Sequence, residues 1–385
     1  MRILLFTGKG GVGKTTLAAA TAAALAARGG KTLVVSTDPA HSLGDAFGRV
    51  LGAEPSEVDS LLSAVQIDSR TLVDSTWHEL RDELRALLAG AGLDTLDAEE
   101  LTVLPGVDEL LALTEVQRLA ERGPWDTVVV DCGPTAETLR LLALPEAVSG
   151  YLTRVFGWQA KGRRTRVAAA VRKLGTHLES LRALLTNPAV TTVRLVLTPE
   201  RVVVAEARRT LSSLALRGIA VDGLIANRLM PAPGFWRGSA ANWARTRRTQ
   251  QNAVLAELAE AGFGPELVTT VEHRAAEPVG LPALLEIAQE LYHGFDPLSG
   301  NGKPVTPLLK IVEDGDGYRL RVAIPLRRDA EVDLARVDDD LAITVDGFRR
   351  LIALPETVRP CRITGAESDA DGLVVSLAAG ERGHG

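Results

Sequence analysis

Phe6-Thr7-Gly8-Lys9-Gly10-Gly11-Val12-Gly13-Lys14-Thr15-Thr16 is the most informative segment of the chain. Ahead of it runs the apolar segment Ile3-Leu4-Leu5-Phe6, and behind it Leu17-Ala18-Ala19-Ala20-Thr21-Ala22-Ala23-Ala24-Leu25, rich in strong helix formers. The order is strand, glycine loop, helix. From Gly8 to Thr15 the residues satisfy G-x-x-x-x-G-K-[ST], a loop that cradles phosphate. Glycines let the backbone curl so that its N–H groups converge on phosphate oxygens. The helix N-terminus adds unpaired donors and partial positive charge. Gly8, Lys9, Gly10, Gly11, Val12, Gly13, Lys14, Thr15 and Thr16 are therefore the candidate nucleotide-binding residues. Lys14 is placed to reach the β- and γ-phosphates, and Thr15 to offer its hydroxyl to Mg²⁺. An ordinary glycine-rich turn would not need Gly, Lys and Thr at all of these positions.

Composition fits this start. A chain of 385 residues is long enough for two or three domains. Its net charge of −6 gives no global attraction to nucleic acid or anionic membrane. Cys132 and Cys361 are its two cysteines, too few for a disulfide framework or a four-cysteine zinc site in one chain. A reducing cytoplasm is the expected compartment, with peripheral membrane contact left open. The apolar start is cut short by Thr7-Gly8-Lys9 and does not make a signal peptide.

Thr32-Leu33-Val34-Val35-Ser36 reads as a second strand, followed by Thr37-Asp38-Pro39-Ala40-His41-Ser42. Ligand groups gather at the carboxyl ends of parallel strands, so Asp38 is the candidate acid to orient the attacking water. A helical region is expected from about 55 to 122, with Trp77 to Leu88 as an amphipathic helix and another from Asp108 to Arg122. The continuous apolar strand Thr127-Val128-Val129-Val130 then ends in Asp131-Cys132-Gly133-Pro134. Asp131 is the second expected acid, holding Mg²⁺ directly or through water.

These blocks resemble the arsenite-pump and tail-anchored-protein-targeting ATPases, a branch of the dimeric P-loop ATPases. Gly8 to Thr16 matches the deviant phosphate loop with its extra lysine at Lys9, Ser36 to Phe47 the first switch, Asp131 to Leu142 the second switch, and Leu224 to Leu229 the adenine-side strand. The resemblance covers about residues 1 to 295. It implies ATP and Mg²⁺ as cofactors, catalytic roles for Asp38, Lys14 and Lys9, metal roles for Thr15 and Asp131, and an adenine contact at Asn227. Because the extra lysine of the family reaches across a dimer interface, Lys9 implies a homodimer or a close heterodimer.

The departures are equally specific. Glu137 stands where the arsenite pumps carry a histidine, and their metalloid-binding cysteines are missing. The stretch Met230-Pro231-Ala232-Pro233-Gly234-Phe235-Trp236-Arg237 lacks the C-x-x-C pair of the eukaryotic targeting factors, so no zinc is expected. The adenine-loop contact of the family falls near Glu272 and His273 and is not carried over. Cys132 reads as a small buried residue beside Asp131.

From 147 to 178 there is no acidic residue, yet Arg154, Lys161, Arg163, Arg164, Arg166, Arg172 and Lys173 occur with Tyr151, Phe156 and Trp158 between them. In the resembling ATPases this position holds helices of a hydrophobic client groove. A basic membrane-facing or single-strand-binding segment is the alternative, and an arginine-rich solvated face is the plain one. Phe235, Trp236, Trp243, Arg245, Arg247 and Arg248 form a second acid-free run, read as a dimer surface. Met1 and Met230 are the two methionines, so a methionine-lined groove is excluded.

Residues 296–307, with Asp296-Pro297-Leu298-Ser299-Gly300-Asn301-Gly302-Lys303-Pro304, read as a linker. The pattern then changes to alternation: Tyr318, Leu320, Val322 and Ile324; Leu341, Ile343 and Val345 into a turn at Asp346-Gly347 and back through Phe348 to Ile352; and Leu373, Val375 and Leu377. Residues 308–380 are read as a small β-sandwich resembling an α-crystallin (small heat-shock) domain, with Ala323-Ile324-Pro325 and Leu354-Pro355 in place. An ATPase of this family ending in such a domain resembles the bacterial and plastid branch of the targeting factors.

The expected fold is α/β: a P-loop NTPase with a mainly parallel sheet over residues 1–295, a helical subdomain at about 55–122 and 147–190, and a C-terminal all-β sandwich. The expected function is a dimeric Mg-ATPase that switches between open and closed states as a chaperone or targeting factor for hydrophobic or membrane-protein clients, with a membrane receptor as a further partner. Its alternatives are the motor of an arsenite or anion efflux pump and a partition-type positioning ATPase, the latter disfavoured by the acidic net charge.

Overall fold

A computed structural model describes residues 1–38, 42–67, 107–134, 166–216, 218–232, 234, 237–260, 268–299, 309–315, 317–322, 332–337, 340–345, 348–354, 358, 360–369 and 372–378. These form two compact units, Met1–Val196 with Arg274–Ser299, and Leu197–His273 with Gly300–Gly385.

The first unit is built on a mainly parallel sheet. Its strands are β1 (Arg2–Gly8), β2 (Thr32–Ser36), β3 (Ser56–Asp59), β4 (Leu62–Gln66), β5 (Thr127–Pro134) and β6 (Thr191–Leu197), in the spatial order β3-β4-β2-β5-β1-β6. Each pair is parallel except β3 with β4. Strands β2 and β6 are buried along their whole length, which is why β2 reads as a nearly continuous apolar run. Helix α1 (Lys14–Ala27) follows β1 and is buried nearly all round. Its alanines allow close packing on β5 and β2 and against α7 (Leu281–Tyr292). The chain leaves β1 toward β2 across β5, and from β5 it reaches β6 on the far side of β1. That reversal opens a crevice at the carboxyl ends of the strands, the usual ligand position in such sheets.

The helical region expected over 55–122 needs correction at its start. Residues 56–66 form β3 and β4, and β4 pairs with β2 from Thr32↔Leu62 to Ser36↔Gln66. The segment Leu62-Ser63-Ala64-Val65-Gln66 is short, and burial against the sheet, not local pattern, makes it a strand. The helix expected from Asp108 is present as α3 (Val107–Arg122), and α4 (Arg166–Thr186) covers the end of the basic stretch. These two helices meet through Thr114 with His177 (3.0 Å) and Gln117 with Ser180 (2.9 Å). Helix α2 (Ser42–Phe47) completes the unit. The expected helix from Trp77 to Leu88, most of the second switch and residues 147–165 lie outside the described residues.

The second unit holds α5 (Arg201–Leu216), β7 (Val221–Leu229), α6 (Ser239–Glu260) and β8 (Val268–Glu272), with β7 parallel to β8. It also holds the antiparallel strands β9 (Leu309–Asp314), β10 (Gly317–Val322), β11 (Val332–Val337), β12 (Asp340–Val345), β13 (Phe348–Ala353), β14 (Arg362–Asp369) and β15 (Gly372–Ala378). They make a sheet β14-β15-β10-β9 and a sheet β11-β12-β13. Leu320, Val322, Leu373, Val375 and Leu377 from the first share one core with Leu341 and Ile343 from the second, closed by Leu354, Val358 and Cys361. This is the expected sandwich. Strands β9, β11 and β14 were not foreseen, because their apolar positions are interrupted by charged residues on exposed faces.

Candidate nucleotide site

The loop between β1 and α1 has the geometry its glycines require. At Gly8 a Cβ would fall 2.1 Å from the Val196 carbonyl oxygen of β6, so the strand pair closes only over glycine. Gly13, the N-cap of α1, sits at φ 94°, a left-handed conformation that a side chain would strain. No side chain caps α1 and its first turn carries no acid. Its leading N–H groups are thus left for an anion from outside the helix. Lys14 is 5 % exposed and donates from Nζ to the Lys9 carbonyl at 3.4 Å, while the Lys9 side chain stands at the exposed crest of the loop.

Beside the loop, the strand ends form a polar row. Ser36 of β2 is in register with Asp131 of β5 on one side and Gln66 of β4 on the other. The Ser36 hydroxyl donates to Asp131 Oδ2 at 3.3 Å, and the Thr15 hydroxyl lies 2.9 Å from that of Ser42. Burial pushes the Asp131 carboxyl up to about 7, and the Asp38 charge adds to this against the pull of Thr15, Lys14 and Ser36. Lys14, Thr15, Ser36, Asp38 and Asp131 therefore share one neighbourhood. Asp131 Oδ1 and Thr7 Oγ1 are buried without a hydrogen-bond partner among the described residues. The Asp131 carboxyl, with the Thr15 hydroxyl within its reach, offers hard oxygen donors that fit Mg²⁺.

Asn227 stands in the second unit, on β7, and is 9 % exposed. The strand end around it is irregular. Arg228 has φ 59°, and the pairing with β8 shifts register between Ala226 and Leu229. Gln251 steadies this bend, donating to the Arg228 carbonyl (3.1 Å) and accepting from the Met230 N–H (2.7 Å). The acid-free run read as a dimer surface is partly committed within its own unit. Arg247 pairs with Glu200 (2.6 Å), and Arg248 with Glu272 (3.0 Å) and the Met230 carbonyl, while Trp243 is 63 % exposed. Phe235 and Trp236 lie outside the described residues.

A model of the ArsA ATPases, described as anion-transporting ATPase, matches residues 1–293. The chain belongs to the ArsA ATPase family. An HSP20-like domain found in ArsA matches residues 315–377, in the sandwich. Over its full extent the chain is similar to protein Rv2184c of Mycobacterium tuberculosis, 37 % identical with 97 % of this chain and 95 % of that protein covered. It is 34 % identical to a putative arsenical pump-driving ATPase of Chlorobaculum tepidum, over 92 % of this chain and 90 % of that one. Against ATPase GET3 of Lachancea thermotolerans identity is 32 %, with 76 % of this chain and 90 % of the relative covered. As an ArsA-family ATPase, the protein binds nucleotide and hydrolyses ATP.

Two buried residues of the ArsA-type core were missed by sequence reasoning. Gln66 is 4 % exposed at the end of β4, and Arg194 is 5 % exposed in the middle of β6. Arg194 donates to the Tyr292 hydroxyl (2.8 Å) and the Pro297 carbonyl (2.9 Å) and lies 5.8 Å from the Phe6 ring centroid. Tyr292 in turn meets Thr21 of α1 at 2.5 Å. The only signal for either was a polar residue inside an apolar run. Cys132 is 1 % exposed, as expected of a small core residue, and its thiol donates to the Val130 carbonyl at 3.9 Å. No helix among the described residues is long and apolar enough to cross a membrane.

Proposed function

We infer that the protein is a dimeric Mg-ATPase whose nucleotide cycle opens and closes a surface that holds hydrophobic or membrane-protein clients. Lys14 binds the β- and γ-phosphates, Asn227 contacts adenine, and Lys9, exposed on the loop crest, reaches the nucleotide of a second copy. Thr15 and Asp131 would hold Mg²⁺, which would supply positive charge at the phosphate oxygens. Asp38 takes a hydrogen bond from the attacking water and sets it in line with the γ-phosphate. Burial strengthens the interactions of Lys14 and Asp131, which sit almost wholly out of solvent.

The observation that carries the client-holding reading is the HSP20-like sandwich that follows the ATPase. Among its described residues it shows no catalytic constellation, and it is suited to offering a second apolar-binding surface. The similarity to a putative arsenical pump-driving ATPase of Chlorobaculum tepidum favours a second reading, the motor of an arsenical efflux pump. Two cysteines in the whole chain are too few to trap arsenite through three thiolates in one protomer. Steady-state hydrolysis with and without arsenite decides between them. A rate unchanged by arsenite is expected, whereas severalfold stimulation would overturn the client-holding reading and restore the pump.

A further inference from the structure

The residue that orients water must itself be held, and Asp38 lies just past the end of β2, where no ladder fixes it. Two side chains take over. On one side its backbone N–H donates to the Ser36 hydroxyl at 3.3 Å. On the other its carbonyl accepts from Gln66 Nε2 at 2.9 Å. A carbonyl can only accept, so this bond fixes which end of the Gln66 amide faces Asp38. Gln66 is itself rigid: it ends β4 in register with Ser36, and its backbone N–H donates to the Gly52 carbonyl at 3.0 Å. Its other polar atom, Oε1, is buried and without a hydrogen-bond partner among the described residues. A glutamine that served stability alone would have both ends of its amide satisfied.

We propose that Gln66 is a positioning residue for hydrolysis, fixing the Asp38 backbone from β4 so that the Asp38 carboxylate points at the attacking water. This rests on the reading of Asp38 as the water-orienting acid. Gln66 acts through Asp38 and need not touch nucleotide, so its loss acts on turnover and not on binding. A displacement of about 1 Å in an orienting group costs roughly a hundredfold in rate.

The test is a double-mutant cycle on the full-length protein, measuring kcat for ATP hydrolysis and the Kd of a fluorescent ATP analogue. Gln66→Met keeps the size of the side chain but has no N–H to donate, and Gln66→Leu serves if the first variant does not fold. Expected for Gln66→Met is a kcat lower by about ten- to a hundredfold, with analogue Kd within about twofold and melting temperature not lowered. In the Asp38→Asn background the same change should have little further effect, because the residue it positions is already disabled. A kcat within about twofold of the parent would overturn the proposal. So would losses that multiply in the double variant, or a weakened Kd equal to the kcat loss. Failure of the underlying reading looks different: Asp38→Asn alone would hydrolyse at the parental rate, and the proposal would fall with it.

Discussion

The carboxyl end of the parallel sheet and the core of the C-terminal sandwich solve burial in opposite ways. At the sheet end, Thr7, Lys14, Ser36, Gln66 and Asp131 are all buried, and three of their oxygens, on Thr7, Gln66 and Asp131, lack partners among the described residues. The sandwich core is Leu320, Val322, Leu341, Ile343, Leu354, Val358, Cys361, Leu373, Val375 and Leu377, with no charged member. Buried polar groups left unpaired cost stability, so a fold keeps them where chemistry uses them. An apolar core of interlocking β-branched and leucine side chains contributes stability and shape instead. The sheet end is thus organised for the reaction and the sandwich for packing, and each can be disturbed separately.

The sharpest break would come from Lys14→Ala. It should lower hydrolysis by about a thousandfold and abolish binding of a fluorescent ATP analogue, with the circular dichroism spectrum unchanged. Asp38→Asn should cost about a hundredfold in kcat while leaving analogue binding intact, which separates the water-orienting role from the phosphate-binding one. Leu341→Ala should reverse the pattern. It removes a fully buried side chain from the sandwich, lowering stability by roughly 2–5 kcal/mol in a denaturant titration, yet kcat should stay within about twofold.

Smaller effects sharpen the comparison at the sheet end. The Asp131 carboxyl ionises at about 7 in the folded protein against 3.8 in a free chain. Between those values the folded state holds a proton that the unfolded state has lost, so stability from this group falls as pH rises from about 4 to about 7. In nucleotide-free protein Asp131→Asn should remove that fall and raise the melting temperature at pH 8 by a few °C, checked by scanning fluorimetry across pH. Tyr292→Phe removes the hydroxyl that joins Thr21 to Arg194 and should cost about 1 kcal/mol, seen as a slight drop in melting temperature.

Legibility followed the same division. The loop, α1, β2 and β5 were readable because each joins an unbroken apolar run to a motif whose residue types are set by chemistry. Asp38 and Asp131 could be placed from that alone, since the end of a parallel strand is a fixed address. Strands β3 and β4 were not readable, because Ser56 to Gln66 is short and mixed, and its strand character comes from pairing with β2. Gln66 was hidden for the same reason: its meaning lies in register with Ser36, which exists only once β4 is in the sheet. Arg194 in Thr-Val-Arg-Leu-Val has no partner nearby in sequence; β6 is covered on both faces, and the distant Tyr292 and Pro297 supply its acceptors. In the sandwich, alternation revealed β10, β12, β13 and β15, and charged exposed faces concealed β9, β11 and β14.

If nucleotide state governs the holding of apolar clients, light scattering of an aggregating transmembrane-segment peptide mixed with full-length protein will report it. It would compare no nucleotide, ATP with Mg²⁺, and the slow Asp38→Asn variant with ATP and Mg²⁺. ATP should change the suppression of aggregation severalfold, and Asp38→Asn should lock the protein in its ATP-bound level of suppression. Suppression that is absent, or that is the same in all three conditions, would contradict nucleotide control of client holding.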